Sequence, residues 1–340
     1  MRINPAAIAH AKYAATRKLF GELVASSPGD LVIVLVGPTQ VGKSEIFRET
    51  VQRLKKATAS ARPGAVPVVE ACVATTQTGR ISPKYVAIKL LECLKHPMYL
   101  HLAALDEADR YRPHRGLDET TIRLALDQGL HARQTMFAGL DELHHVTHTG
   151  NERLRADVLQ SLKCLAAPGR TFFGAGGYEL AYRGFFDSAH FCGRLVIVEF
   201  PRYTDCASDL LEWARILKTI GMHLPLATPS LLVDHCNELL DATCGSFGVL
   251  EKHLWQASVS ARVLGQKLRW RDIAEVLPGK KQRDTILADI LKGEAALDKM
   301  PHAHRVAGSP GAPARKPKKN RPFETSPQRR SIGDLEVVNG

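Results

Sequence analysis

Nowhere in its 340 residues does the chain reach the roughly 18 consecutive apolar residues that a membrane-crossing helix needs, so no span is expected. Met1 to His10 lacks a charged start followed by an apolar stretch, which argues against a secretory leader. The seven cysteines (Cys72, Cys93, Cys164, Cys192, Cys206, Cys236, Cys244) are scattered, odd in number and never spaced Cys-x-x-Cys. They are expected to be reduced, mostly buried thiols of a cytoplasmic protein. There is no His-Glu-x-x-His pattern, no zinc finger or other compact base-reading module, and no internal repeat.

What is present begins with core-forming residues, 44% of the total, and a length suited to one large or two ordinary domains. The formal net charge of +11 suits a polyanionic partner, since clustered Lys and Arg displace counterions from nucleic acid. From Pro301 onward eight basic residues face three acidic ones, and large apolar residues are few. Residues 301–340 are therefore expected to be a disordered basic tail. Its run Arg315-Lys316-Pro317-Lys318-Lys319-Asn320-Arg321 suits a docking arm or a solubilising tail equally.

Strand and helix alternate through residues 31–200. An N-terminal helix over residues 4–25 precedes Leu31–Val36, an unbroken apolar run that reads as a fully buried parallel strand. Further strands are expected at Val66–Val73, Thr135–Leu140, from Thr171 to Gly174, and at Leu195–Phe200, with helices at Ser44–Lys56, Pro83–Leu94, Asp118–His131 and Glu152–Ala166. This is an α/β fold, a parallel sheet wrapped by helices. From Asp205 to about Gly265 strand signals stop and a smaller all-helical unit is expected.

Gly37-Pro38-Thr39-Gln40-Val41-Gly42-Lys43-Ser44 matches the phosphate-binding loop in full, with a buried strand entering and a helix leaving. Such a loop curls its N–H groups around phosphates at the positive end of a helix. Lys43 is expected on the β- and γ-phosphates of ATP and Ser44 on Mg²⁺. About 100 residues later an apolar strand closes in Asp141-Glu142. Asp141 suits Mg²⁺ through water, and Glu142 suits the base that polarises the attacking water. Gly139 is unusual inside such a strand. His144, His145 and His148 follow at once; a zinc site lacks partners at recognised spacing, so a polar loop beside the nucleotide is the favoured reading.

Gly37 to Ser44, Leu140-Asp141-Glu142-Leu143-His144-His145, Phe172 to Gly176, Gly193-Arg194-Leu195 and Thr243 to Leu250 come in the order seen in transposition regulator ATPases. Over residues 5–265 the chain resembles AAA+ proteins of the TnsC/TniB type, and more distantly the MuB type. The resemblance implies an N-terminal helix (1–30), an AAA+ P-loop core (31–202), a helical lid (203–275), a C-terminal helix (276–300) and the tail. It implies ATP-dependent rings or filaments on double-stranded DNA, a target-site selection protein as input, a transposase as the recruited partner, and reset by hydrolysis. It implies that Arg194 reaches the γ-phosphate held by a neighbouring copy, with Arg183 as the alternative finger. Two departures are visible. Gly174 and Ala175 stand where a water-orienting polar residue is expected, and Gly248 stands where many lids carry an arginine. Both point to slow hydrolysis. The family's pore-facing region corresponds to the segment after the second strand, so Thr78, Arg80 and Lys84 are the candidate DNA contacts, with Arg110, Arg112 and Arg115 as a second basic patch. Other readings are a replication initiator or loader, which a winged-helix domain after the lid would favour, and a signalling NTPase that binds no nucleic acid.

Overall fold

A computed structural model describes residues 10–59, 62–73, 83–97, 99, 118–148, 158–159, 161–183, 186, 193–300 and 303–305. The chain divides into Met1–Ser309 and Pro310–Gly340, and every described residue belongs to the first unit.

Helix α1 (Ala11–Ala25) starts at His10, whose ring nitrogen accepts the N–H of Tyr13. Its buried face is Tyr13, Thr16, Phe20 and Val24. Strand β1 (Val32–Val36) is buried throughout, as the apolar run predicts. It leads into α2 (Lys43–Ala57), β2 (Val68–Cys72), α3 (Pro83–Cys93), α4 (Glu119–Ala132) and β3 (Phe137–Asp141). A 3₁₀ turn (Leu143–His148) follows, then β4 (Thr171–Gly176), the single-turn α5 (Glu179–Tyr182) and β5 (Leu195–Glu199). Of the helix expected at Glu152–Ala166, residues 158–159 and 161–163 are helical while 152–157 and 160 lie outside the described residues, as does the start of the helix expected from residue 4.

The sheet runs β2-β3-β4-β1-β5 with every pair parallel and β1 interior, between β4 and β5. Alternation along β1 explains its all-apolar sequence. Ile33 and Leu35 pack with α1 and α2 through Phe20, Ile46 and Phe47. Val32, Val34 and Val36 face the opposite layer with Ile88, Leu91 and Ile122. A strand covered on both faces cannot accommodate a polar side chain on either. Gly139, odd by sequence, has a packing reason: a Cβ there would come within 2.6 Å of the Phe173 ring and 2.9 Å of the Phe47 ring.

After β5 the chain turns helical: α6 (Ala207–Gly221), α7 (Leu231–Asp234), α8 (Cys236–Ala242), α9 (Phe247–Val263) and α10 (Trp270–Ala274). These share their own core, built on Trp213, Ile216, Leu217, Leu239, Leu250 and Leu254. Helix α11 (Lys280–Asp298) then returns to the α/β layer. Its Glu294 pairs with Arg202 at 2.9 Å, and its Asp289 accepts the hydroxyl of Tyr182.

Two expectations need correction. The chain beyond residue 301 is not tail throughout: Ala303–Arg305 forms β6, parallel to β5, with Ile197 opposite Ala303 and Glu199 opposite Arg305. Without it β5 would carry an open edge, and pairing satisfies its backbone groups. The cysteines are not mostly buried either. Of the six described, Cys72, Cys93, Cys164 and Cys206 are exposed and only Cys244 is buried, because the exposed ones fall at or just beyond element ends. No helix among the described residues is long and apolar enough to cross a membrane.

Candidate functional site

Because the strands are parallel, their C-terminal ends share one edge of the sheet, where α/β folds bind ligands. The loop after β1, Asp141-Glu142 after β3, and Gly176-Gly177 after β4 meet there around a cleft of about 560 Å³. Thr39 to Ser44, Asp141 and Glu142 all line it. So do residues that the sequence did not single out for this role: His10, Tyr13, Glu179, Phe247 and Asp289. They come from helices far apart in the chain and carry no local motif.

The loop has the curl that phosphate binding needs. Gln40 (φ 59°) and Gly42 (φ 107°) are left-handed, and Gly42 stands immediately before α2. The Lys43 ammonium is drawn into the loop; its Nζ donates to the carbonyls of Gly37 at 3.0 Å and Pro38 at 2.5 Å. Burial pushes its pKa down to about 8, against the upward pull of Glu142, Glu179, Asp141 and Asp289. The carboxylates favour the protonated form, and an ammonium is a point-charge partner for phosphate oxygens.

Burial pushes the Asp141 carboxyl above its usual range, while hydrogen bonds from the Glu142 N–H (2.8 Å) and Ser44 and the charge of Lys43 pull it back. The Ser44 hydroxyl and Asp141 carboxylate are therefore adjacent hard-oxygen donors, a set that fits Mg²⁺ with water completing its shell. Glu142 stands just beyond the strand with φ 56°, which breaks the strand direction and leaves its carboxylate half-exposed in the cleft.

His144 lines the same cleft, with Nδ1 3.3 Å from Glu142 Oε2. Burial lowers its pKa; Glu179 and Glu142 oppose that, and His145 adds to it. Glu142, His144 and His145 bring one donor atom each within 4.8 Å of one another. The two imidazole centroids lie 4.4 Å apart with their planes 33° from parallel.

The remainder of the cleft is aromatic. His10 Nδ1 accepts from Tyr13 N–H and lies 2.8 Å from the Tyr203 hydroxyl; its ring is 5.3 Å from that of Phe247. Burial pulls its pKa to about 4, with Lys12 adding to the shift, so it is neutral at physiological pH. Helix α9 closes over the loop, with Gly248 N–H donating to the carbonyl of Gln40 at 2.7 Å.

Arg194 is far from this cleft in its own chain. It precedes β5, at the opposite end of the sheet from the loop, and pairs with Asp30 at 2.6 Å. Arg183 is exposed, just after α5. Lys84 sits half-buried in the first turn of α3. Thr78, Arg80, Arg110, Arg112, Arg115 and the run Arg315–Arg321 lie outside the described residues.

No protein-family model and no curated protein matches the chain. Solved structures do match. For the Aeropyrum pernix ORC2 protein (ADPNP–ADP complexes) the TM-score is 0.50 at 15% identity, over 77% of this chain and 66% of that one. For Drosophila ORC bound to DNA it is 0.52 at 10% identity, over 81% and 62%. A Walker-type ATPase of Pyrococcus abyssi overlaps 84% of this chain and 90% of its own at 13% identity, with a TM-score of 0.47. This chain thus spans two thirds or less of either ORC chain, and at these identities the likeness is one of fold. With β1 central in a parallel sheet and a helical bundle seated on the loop that follows it, the chain has the AAA+ P-loop ATPase fold.

Proposed function

We propose that this chain is an ATPase that regulates DNA transposition: it assembles on target duplex DNA with ATP, recruits a transposase, and resets by hydrolysis. The observation that carries the ATPase part is the convergence of Lys43, Ser44, Asp141 and Glu142 on one cleft. Lys43 and the loop N–H groups hold the triphosphate. His10, Tyr13, Val41 and Phe247 offer a flat, apolar receptacle for the adenine ring. Ser44 and Asp141 would hold Mg²⁺, which would neutralise charge on the phosphates. Glu142 takes a proton from water as the water oxygen bonds to the γ-phosphorus and the bond to the ADP oxygen breaks.

The transposition part is supported by the order of sequence motifs and by two features of the site. β4 ends in glycines with no polar side chain, and the lid presents Gly248 in place of an arginine. A site without those two groups suits a slow timer rather than a motor. The position of Arg194 at the far end of the sheet from its own cleft supports the reading in which it serves another copy's nucleotide. DNA contacts are assigned to Thr78, Arg80 and Lys84, with a target-site selection protein as the upstream partner.

The replication-initiator reading shares the fold of the ORC structures and is the second reading. Helix α11 and β6 pack back on the α/β layer, and no winged-helix domain occurs among the described residues. The test is light scattering and electron microscopy of the chain with duplex DNA and a non-hydrolysable ATP analogue. Rings or filaments that require both ligands are expected. A chain that stays monomeric under every combination while hydrolysing ATP sinks the assembly reading and favours a signalling NTPase.

A further inference from the structure

The end of β4 reads Gly174-Ala175-Gly176-Gly177, without a polar side chain beside the cleft. The packing there requires it: a Cβ on Gly176 would lie 2.9 Å from the backbone nitrogen of His144 and 2.6 Å from Leu180. The strand end is stripped so that the turn after β3 can press against it. That turn also carries the His144 side chain, 20% exposed, which lines the cleft with Nδ1 3.3 Å from Glu142 Oε2.

We propose that His144 is a positioning residue for hydrolysis: its Nδ1, 3.3 Å from Glu142 Oε2 but not aligned here as a hydrogen bond, turns to donate to that carboxylate when nucleotide is bound and holds it toward the attacking water, replacing the polar group that β4 does not supply. The assignment rests on the ATPase reading and names a further residue within it. Glu142 needs such a partner, because nothing in β3 restrains a half-exposed side chain that follows a left-handed backbone. Histidine suits the task because a neutral imidazole offers one directed N–H and leaves the carboxylate its charge. Glu179 lines the same cleft, and its charge opposes the lowering of the His144 pKa by burial.

The experiment compares the full-length chain with His144→Phe, His144→Gln and Glu142→Gln, reading ATP turnover and ATP affinity separately. His144→Phe should lower kcat about ten- to a hundred-fold, the range typical for losing an orienting partner, and leave ATP affinity within about threefold. His144→Gln, which keeps an N–H donor, should recover most of the rate; recovery also shows that loss in the Phe variant is not misfolding. A ¹⁵N-histidine spectrum reads the pair without turnover: Glu142→Gln should shift His144 and leave His235, in the lid, unchanged. The proposal is overturned if His144→Phe turns over at the wild-type rate, if affinity falls as far as kcat, or if Glu142→Gln leaves the His144 resonances in place. A wild-type chain that binds ATP but never hydrolyses it defeats the ATPase reading itself. Normal turnover with an indifferent His144→Phe defeats only this assignment.

Discussion

The Gly248 N–H and the Gln40 carbonyl are 2.7 Å apart, so the helical bundle touches the phosphate loop backbone to backbone. A Cβ on Gly248 would come within 2.3 Å of that carbonyl oxygen. Gly248→Ala should therefore weaken ATP binding about tenfold, equivalent to about 1.4 kcal/mol, although alanine is the better helix residue by about 0.5–1 kcal/mol. Titration with a fluorescent ATP analogue checks this; unchanged affinity means the bundle seats elsewhere when nucleotide binds.

Lys43 gives a pH signature to the nucleotide-free chain. Its folded pKa of about 8 lies below the ordinary 10.5. Between those values the unfolded chain binds more protons, so stability rises with pH across that window, and the full penalty for enclosing the charged form applies below it. Relative to Lys43→Met, wild type should gain up to about 3 kcal/mol from pH 7.5 to 10.5. Denaturant titrations at several pH values measure the gap, and a constant gap contradicts the enclosed ammonium. The same substitution should abolish tight ATP binding.

Glu142→Gln should bind ATP, fail to hydrolyse it, and remain assembled on DNA. Arg194→Ala should bind ATP as a monomer yet lose turnover and assemble poorly. If Arg194 acts between copies, mixing Arg194→Ala with Lys43→Ala should restore part of the activity, since each variant supplies what the other lacks. Mixtures no more active than their parts place the finger elsewhere, with Arg183 next to be tested.

DNA binding is predicted to use few phosphates per copy, multiplied by assembly. Arg80→Ala with Lys84→Ala should weaken binding to all duplex sequences alike and leave ATP affinity unchanged. The slope of log K against log salt should become shallower by about 0.9 for each phosphate that the variant no longer neutralises. Filter binding at several salt concentrations reads it.

Lys12 and Asp209 form a buried ion pair at 2.7 Å, 5% and 4% exposed, joining α1 to α6. Thr204 also donates to Asp209 Oδ2 through its backbone N–H and hydroxyl, each at 2.9 Å. Lys12→Met leaves a buried carboxylate without its countercharge and should cost about 3 kcal/mol. Replacing Asp209 by leucine as well should recover part of that, because the uncompensated charge is gone. Urea denaturation of the single and double variants decides it.

The central strand, the phosphate loop and the acidic pair were legible because each is written locally. A six-residue apolar run, fixed glycine spacing and adjacent carboxylates at a strand end need no tertiary knowledge. Glu179 and Asp289 were not legible. Asp289 enters the cleft only because α11 folds back across α5, and its helix reads as an ordinary amphipathic segment. The aromatic part of the cleft was hidden likewise: His10, Tyr13 and Phe247 come from opposite ends of the fold and meet by ring packing, not by spacing. Gly139 was misleading for the converse reason, since the bulk it accommodates lies in the side chains of Phe173 and Phe47.

β6 has a consequence for how the molecule is made. Its three residues are Ala303–Arg305, yet they pair with β5 at residues 197–199 across the whole intervening bundle. During synthesis β5 emerges roughly a hundred residues before its outer neighbour, or about 5–20 s at ordinary translation speeds. For that interval its edge is available to another nascent chain. Late sealing of one strand thus makes the interval between the emergence of β5 and that of β6 the time at which this edge is open to mispairing.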